Sequence, residues 1–526
     1  MQKRSNRFWI VALVLGWLFD FLFWKQSPGI NFAIYVILCL AGGLYGLRMD
    51  GIKPAARSQF LMIPIFFFAV ITFVRQEPLS LFLAYALTLF LMGLLVTTFV
   101  GGRWGSFGLA DYLAAYLRLT GGVLTKPFML LNVKRQQQEE TVGKPRKKNA
   151  WPVVRGILIA IPILVVFSAL LSSADLVFAQ RLDAFVSLFR LEKLPEYIFR
   201  VIYILIGAYL LVGVFLHAAI SSHNEKLIGE EKPLVSPFLG FIESSIILGS
   251  VAILFALFVV IQFQYFFGGQ ANIHIDGYTY AEYARKGFGE LIMVAVFSLL
   301  LFLGLSGITR RENSTQRNIF SGLGITVVVL VGIMLVSAFQ RLVLYETAYG
   351  FSQLRTYTHV FMIWLGLLLS AVVVLEILRK ERKFALAVLL AGIGFAGSLA
   401  LLNVDGFIVR QNVERAVQGQ ELDAAYLASL TADSIPALVE EFNDTTLSKD
   451  IHEQIGASLA CMSALAPERM DSDWRAYNLS VYNGHKMLDA HETDLKAYKI
   501  SEVEYQTFVT NPSGKKMDCR GYGMMD

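Results

Sequence analysis

Phe384-Ala-Leu-Ala-Val-Leu-Leu-Ala-Gly-Ile-Gly-Phe-Ala-Gly-Ser-Leu-Ala-Leu-Leu402 runs without a charge and stops at Asn403-Val-Asp-Gly-Phe-Ile-Val-Arg410. As a helix, the apolar run would rise roughly 28 Å, close to the thickness of bilayer hydrocarbon. The polar stretch after it cannot continue through lipid. A membrane-crossing helix therefore ends near Leu402, and a polar tail of about 120 residues begins at Asn403.

Ten further stretches read the same way: Phe8–Trp24, Gly29–Leu47, Phe60–Val74, Leu79–Val100, Val153–Ser172, Tyr197–His217, Phe241–Phe263, Phe288–Ile308, Ile319–Phe339 and Tyr357–Leu378. Phe60–Val74 is short and contains Pro64, and Pro162 should kink its span. Composition agrees. Of 526 residues, 55 % are hydrophobic and 17 % charged, with 40 Phe, and the mean hydropathy is +0.55. A soluble chain could not hide that apolar surface, and a disordered one would be poor in apolar residues. The predicted fold class is all-α: a polytopic membrane protein of about eleven spans with a small helical C-terminal domain. Three regions follow: 1–150, four spans and a basic connection; 151–402, seven spans; and 403–526, the tail.

With the N-terminus placed in the cytoplasm, inner segments hold 24 Lys and Arg and outer ones nine. That asymmetry favours N-inside. Eleven spans then put the tail on the extracytoplasmic side of the cell (inner) membrane; an even number would reverse it. Phe21-Leu-Phe-Trp-Lys25 has no small-residue cleavage site, so the first span is not expected to be a cleaved signal. The net charge of +5 is accounted for by topology and implies no nucleic acid. Lys144–Lys148 either anchors the next helix or touches anionic lipid.

Leu109, Tyr112, Leu113 and Tyr116 have helical spacing and predict an interfacial helix, followed by a polar, mobile Gln136–Asn149. In the tail, Leu422, Tyr426, Leu427 and Leu430 form one stripe, and Ile451, Ile455, Leu459 and Met462 another. Ser434 before Pro436 reads as an N-cap, and Asn511–Asp526 reads as frayed. Cys461 and Cys519 are candidates for a disulfide on the oxidising side, although spacing does not fix their geometry.

Three outer segments concentrate polar residues. The first carries His274, Asp276, Tyr280, Glu282, Tyr283, Arg285 and Glu290; Thr279 with Glu282 forms a capping box. The second carries Arg341, Tyr345, Glu346, Tyr349 and Arg355, with Arg341, Tyr345 and Tyr349 on one helical face. The third carries Asp405, a cap for a helix with Phe407 and Val413 on its apolar side, and Arg410. These residues are either interfacial anchors or the lining of one outer polar pocket. In a pocket, the arginines would hold phosphate or carboxylate and the acids would exchange protons. Asp20 either faces other helices or reaches water at the interface. No metalloprotease, nucleophile-elbow, phosphate-loop or paired-cysteine motif occurs, and no metal or cofactor is expected. His485, Asp489 and His491 read as a solvated face rather than ligands.

Tyr280-Ala-Glu-Tyr-Ala-Arg-Lys-Gly-Phe-Gly-Glu290, Arg341-Leu-x-Leu-Tyr-x-x-Ala-Tyr-Gly350, Asn403-Val-Asp-Gly-Phe-Ile-x-Arg410 and Leu422-Asp-x-x-Tyr-Leu-x-x-Leu430 occur in that order. From Trp151 to Leu438 the chain resembles a family of bacterial polytopic membrane proteins, domain of unknown function 4173, with its related 4153 group. The resemblance implies a bacterial cell membrane and no particular reaction. Three function classes remain open. First is a sensory, regulatory or envelope-assembly protein with a protein partner at the tail. Second is a transporter or channel. Third is a membrane-embedded enzyme acting on a lipid-linked or anionic substrate. Anionic lipid or a small anion is a further partner class.

Overall fold

The computed structural model describes residues 2–141, 151–175, 177–178, 180–181, 193–223, 227–228, 236–267, 288–465, 473–503 and 506–519. Among these, nine helices are long and apolar enough to cross a membrane. Each coincides with one of the expected spans. The other two expected spans fall on the helices Gln2–Phe23 and Trp151–Ala174. Pro64 lies in the first turn of Met62–Val74, where a missing N–H costs nothing, and so does not break that helix. The amphipathic stretch at Leu109 continues as one helix to Thr141, through polar residues expected to be mobile. Gln, Lys, Arg and Glu are good helix formers, which is why polarity alone did not end it.

The chain divides into two compact units. The first comprises Met1–Lys25, Ile37–Lys53 and Leu117–His223. There, Gln2–Phe23 packs along Leu194–Ile220, burying Ala12, Leu15, Ala208 and Val212. Gly16 permits the approach: a Cβ there would lie 2.9 Å from the Ile204 carbonyl oxygen.

The second unit comprises Gln26–Val36, Pro54–Tyr116 and Asn224–Asp526. Phe241–Phe267 and Phe288–Ile308 both pack on Ser314–Tyr349, around Leu248, Phe302, Phe320 and Leu342. Gln353–Ile377 pairs with Phe384–Leu402, and Met62–Val74 with Pro78–Thr97. The chain leaves the last span through Asn403, whose φ of 51° is left-handed, and enters Val404–Val417. Asn403, rather than Asp405, caps that helix, accepting from the Gly406 N–H.

The tail core holds Ile408, Val413, Leu427, Leu438, Ile455 and Leu459, the inward residues of the expected stripes among them. Ser434 sits at the start of Ile435–Phe442, but its hydroxyl donates back to the Thr431 carbonyl instead of capping. The end of the chain differs most from expectation. Lys499–Val503, Gln506–Thr510 and Lys516–Asp518 form an antiparallel sheet in that order. Asn511–Cys519 is thus turn and strand rather than frayed. Ile500, Val503, Thr507, Phe508 and Val509 favour pleated backbone, and Gly514, at φ 86°, closes the turn. Cys461 and Cys519, both buried, are joined as a disulfide with a Cα–Cα separation of 5.2 Å.

Candidate functional site

His274, Asp276, Tyr280, Glu282, Tyr283 and Arg285 lie outside the described residues. Glu290 is exposed in the first turn of Phe288–Ile308. The second polar segment forms the last turns of Ser314–Tyr349 and the start of Gln353–Ile377. Tyr345 and Tyr349 pack ring on ring at 5.1 Å. The Arg355 guanidinium sits 4.1 Å over the Tyr345 ring and donates to the Tyr349 and Gly350 carbonyls. Arg341 shares the Tyr345–Tyr349 face by its spacing. Glu346 does not; it is 1 % exposed and faces Gln353–Ile377, 3.1 Å from His359 Nδ1. Its Oε1 and His359 Nε2 are buried without hydrogen-bond partners among the described residues. Arg410 pairs with Glu440 on the tail, with both side chains exposed.

Among the described residues, the densest polar constellation is a latch where the tail meets two turns between spans and the exit from the last span. The first turn is Arg75-Gln-Glu77. Glu77 caps Pro78–Thr97, accepting from the Leu79 and Ser80 N–H groups at 2.7 and 2.8 Å, and Tyr357 OH also donates to it. Asp433, 2 % exposed, accepts from the Gln76 and Glu77 N–H groups at 2.7 and 2.8 Å. Arg75 donates to the Ala400 carbonyl, and Asn478 donates to the Arg75 carbonyl. The second turn follows Tyr349. Asn412 accepts from the Phe351 N–H and donates to its carbonyl, while Arg415 donates to the Thr347 and Ala348 carbonyls. At the exit, Asn403 donates to the Asp433 carbonyl.

Asp405 ties these together. It is fully buried, accepting from Gln353 Nε2 at 2.7 Å and from the Thr431 N–H and hydroxyl at 3.0 and 2.6 Å. Tyr426 OH accepts from the Gln353 N–H, and burial pushes that phenol up to about 12, so it stays neutral. Burial, opposed in part by the Thr431 and Gln353 bonds, lifts the Asp405 carboxyl above the ordinary aspartate value; the Asp433 charge adds to the lift. The native state thus keeps a proton that the unfolded chain loses above a pH of about 4. Its contribution is greatest in acid and is lost as pH rises through the native value. Asp405→Asn should flatten that part of the stability–pH curve, since its amide can donate to a flipped Gln353. Denaturation midpoints from pH 4 to 7 check this; parallel curves for the two proteins would contradict it.

Beside the latch lies an open cleft of about 610 Å³. Ile435, Met462, Val481 and Leu488 give it apolar walls, and Gln76 and Thr431 a polar edge. In the first unit, Asp20 is 3 % exposed and bound by Arg200 and Tyr203, so it faces helices rather than water. Sequence reasoning missed Glu77, Gln353, Tyr357, His359, Asn412 and Asp433. Glu77 before Pro78 was a readable N-cap signal, and His359 a polar residue within an apolar span; the rest carried none.

The sequence matches the family described as Domain of unknown function (DUF4153) over residues 62–441. The chain belongs to the DUF4153 family. The DUF4153 match begins at the first residue of Met62–Val74 and ends within Ile435–Phe442, earlier at its start than the resemblance from Trp151 implied. It includes every latch residue named above except Asn478. No curated protein and no solved structure matches the chain. The DUF4153 description assigns no activity, and the chain is an integral membrane protein.

Proposed function

We propose that this DUF4153 protein is a sensory or regulatory protein of the bacterial cell membrane. Its tail, on the extracytoplasmic side, takes up a partner and passes its occupancy to the spans through the latch. The excess of basic residues on the inner side supports that orientation, and the disulfide suits an oxidising compartment. One observation carries the reading. The cleft wall includes Gln76, Thr431 and Ala432, and the same short segments hold the buried Asp433 and Asp405 bonds that seat three spans. Anything pressing on that wall acts on span ends without crossing a flexible linker.

Filling the cleft tests this in the absence of a known ligand. Val481→Trp should bury an indole between the walls and slow hydrogen exchange at the Gln76 and Glu77 amides by about tenfold, roughly 1.4 kcal/mol of added protection. Tyr482→Trp, on the neighbouring exposed position, should leave them unchanged. If the latch amides ignore the filled cleft, tail and spans are uncoupled. Transport, favoured by the buried Glu346–His359 pair between two spans, then becomes the better reading.

A further inference from the structure

At the C-terminal end of Leu194–Ile220 the first unit gathers bases without an acid among the described residues. Lys126 Nζ donates to Ser221 Oγ and lies 3.2 Å from His217 Nδ1. His217 is 4 % exposed and Lys126 is half-buried. Among the described residues no carboxylate reaches the Lys126 ammonium, and the nearby charge of Arg118 has the same sign. Arg118, Gly122 and Lys126 are four apart and share one face of Leu109–Thr141.

The sequence builds this approach deliberately tight. Pro127 has no N–H, so the Val123 carbonyl loses its helical donor. Gly213 lets the neighbouring helix come up to that turn: a Cβ there would lie 2.3 Å from the Val123 oxygen. Tyr209 OH donates to the Leu124 carbonyl at 2.6 Å and holds the crossing. Gly122 leaves room for the bases, since a Cβ on it would lie 2.6 Å from His217 Nδ1 and 3.2 Å from Lys126 Nζ.

A half-buried ammonium with no counter-ion is costly. Burial accordingly pulls the Lys126 amine down to about 8. An anion would supply what is missing: the ammonium, a hydroxyl and an imidazole converge as donors for phosphate oxygens. The negative end of the helix dipole opposes an anion here. A plain helix-capping lysine would explain the Ser221 bond, yet not the buried His217 and Gly122 arranged around it.

We propose that Lys126, His217 and Ser221 form a binding site for a phosphate group, carried by a phospholipid headgroup or free in solution. The site lies at the end of a span, where headgroups are found.

Acetylation of Lys126 in the full-length protein, purified in a phosphate-free maltoside detergent, tests it at pH 8. Added phosphatidylglycerol should slow acetylation about tenfold at ten times its Kd, with exposed Lys25 unaffected. Inorganic phosphate at matched ionic strength separates the sources. Protection by lipid alone assigns the site to a headgroup, and equal protection by phosphate assigns it to a soluble anion. Ser221→Ala should weaken the protection. An unchanged rate at Lys126 with both probes overturns the proposal and leaves the lysine as a helix cap. The wild-type measurement decides this even if variants fold poorly.

Discussion

Replacing Cys461 and Cys519 together by alanine is expected to lower the stability of the tail by roughly 4 kcal/mol. The bond joins the Lys449–Leu465 helix to the residue after the last strand, across a sequence separation of 58. Closing a loop of that size in the unfolded chain accounts for the figure in the chain-entropy picture. Both sulfurs sit in the tail core, so truncation also removes packing. Without the bond, Lys516–Asp518 keeps its pairing with Gln506–Thr510 and the packing of Met517 on the tail core. Denaturant unfolding followed by Trp474 fluorescence would measure the loss, and reduction of the wild type should reproduce most of it. A change below about 1 kcal/mol, within the range of ordinary substitutions, would mean that the helices hold the sheet unaided.

Arg200→Met should cost about 3–5 kcal/mol, because it strands a buried carboxylate. Asp20 accepts from Arg200 Nε at 2.9 and 3.1 Å and from Tyr203 OH at 2.5 Å. The guanidinium also lies 5.0 Å over the Trp24 ring, and Trp24 Nε1 donates to Glu196. Methionine keeps the aliphatic stem and removes the charge. The double variant Asp20→Asn with Arg200→Met should recover much of the loss, since no uncompensated charge remains. A double-mutant cycle on the protein in lipid discs measures the coupling. Additive losses would show that Asp20 is solvated in the native state and that the ion pair contributes little.

Local pattern carried the architecture because spanning a bilayer is a local requirement. Each run from Phe8–Trp24 to Phe384–Leu402 satisfies its own backbone bonds and shows its apolar length directly. The tail stripes at Leu427 and Ile455 were readable for the same reason. The sheet was not, since strands of three to five residues are short patterns that gain meaning only when paired. The face shared by Arg341, Tyr345 and Tyr349 was visible from spacing, although Glu346 beside it was expected to line the same pocket. Its partner His359 was not visible, because helix–helix contact depends on how two rods are rotated.

Sequence by itself determined that this protein is a bundle of membrane helices ending in a polar tail at Asn403. Only the tertiary structure decided what its polar residues do. Asp433 meets Gln76 and Glu77 across 356 or more residues, and Asp20 meets Arg200 across 180. Hydrophobic burial repeats along the chain and leaves a periodic record. A buried carboxylate needs two or three donors at fixed positions, supplied by whichever turns the fold delivers, and so leaves no periodic record in the chain.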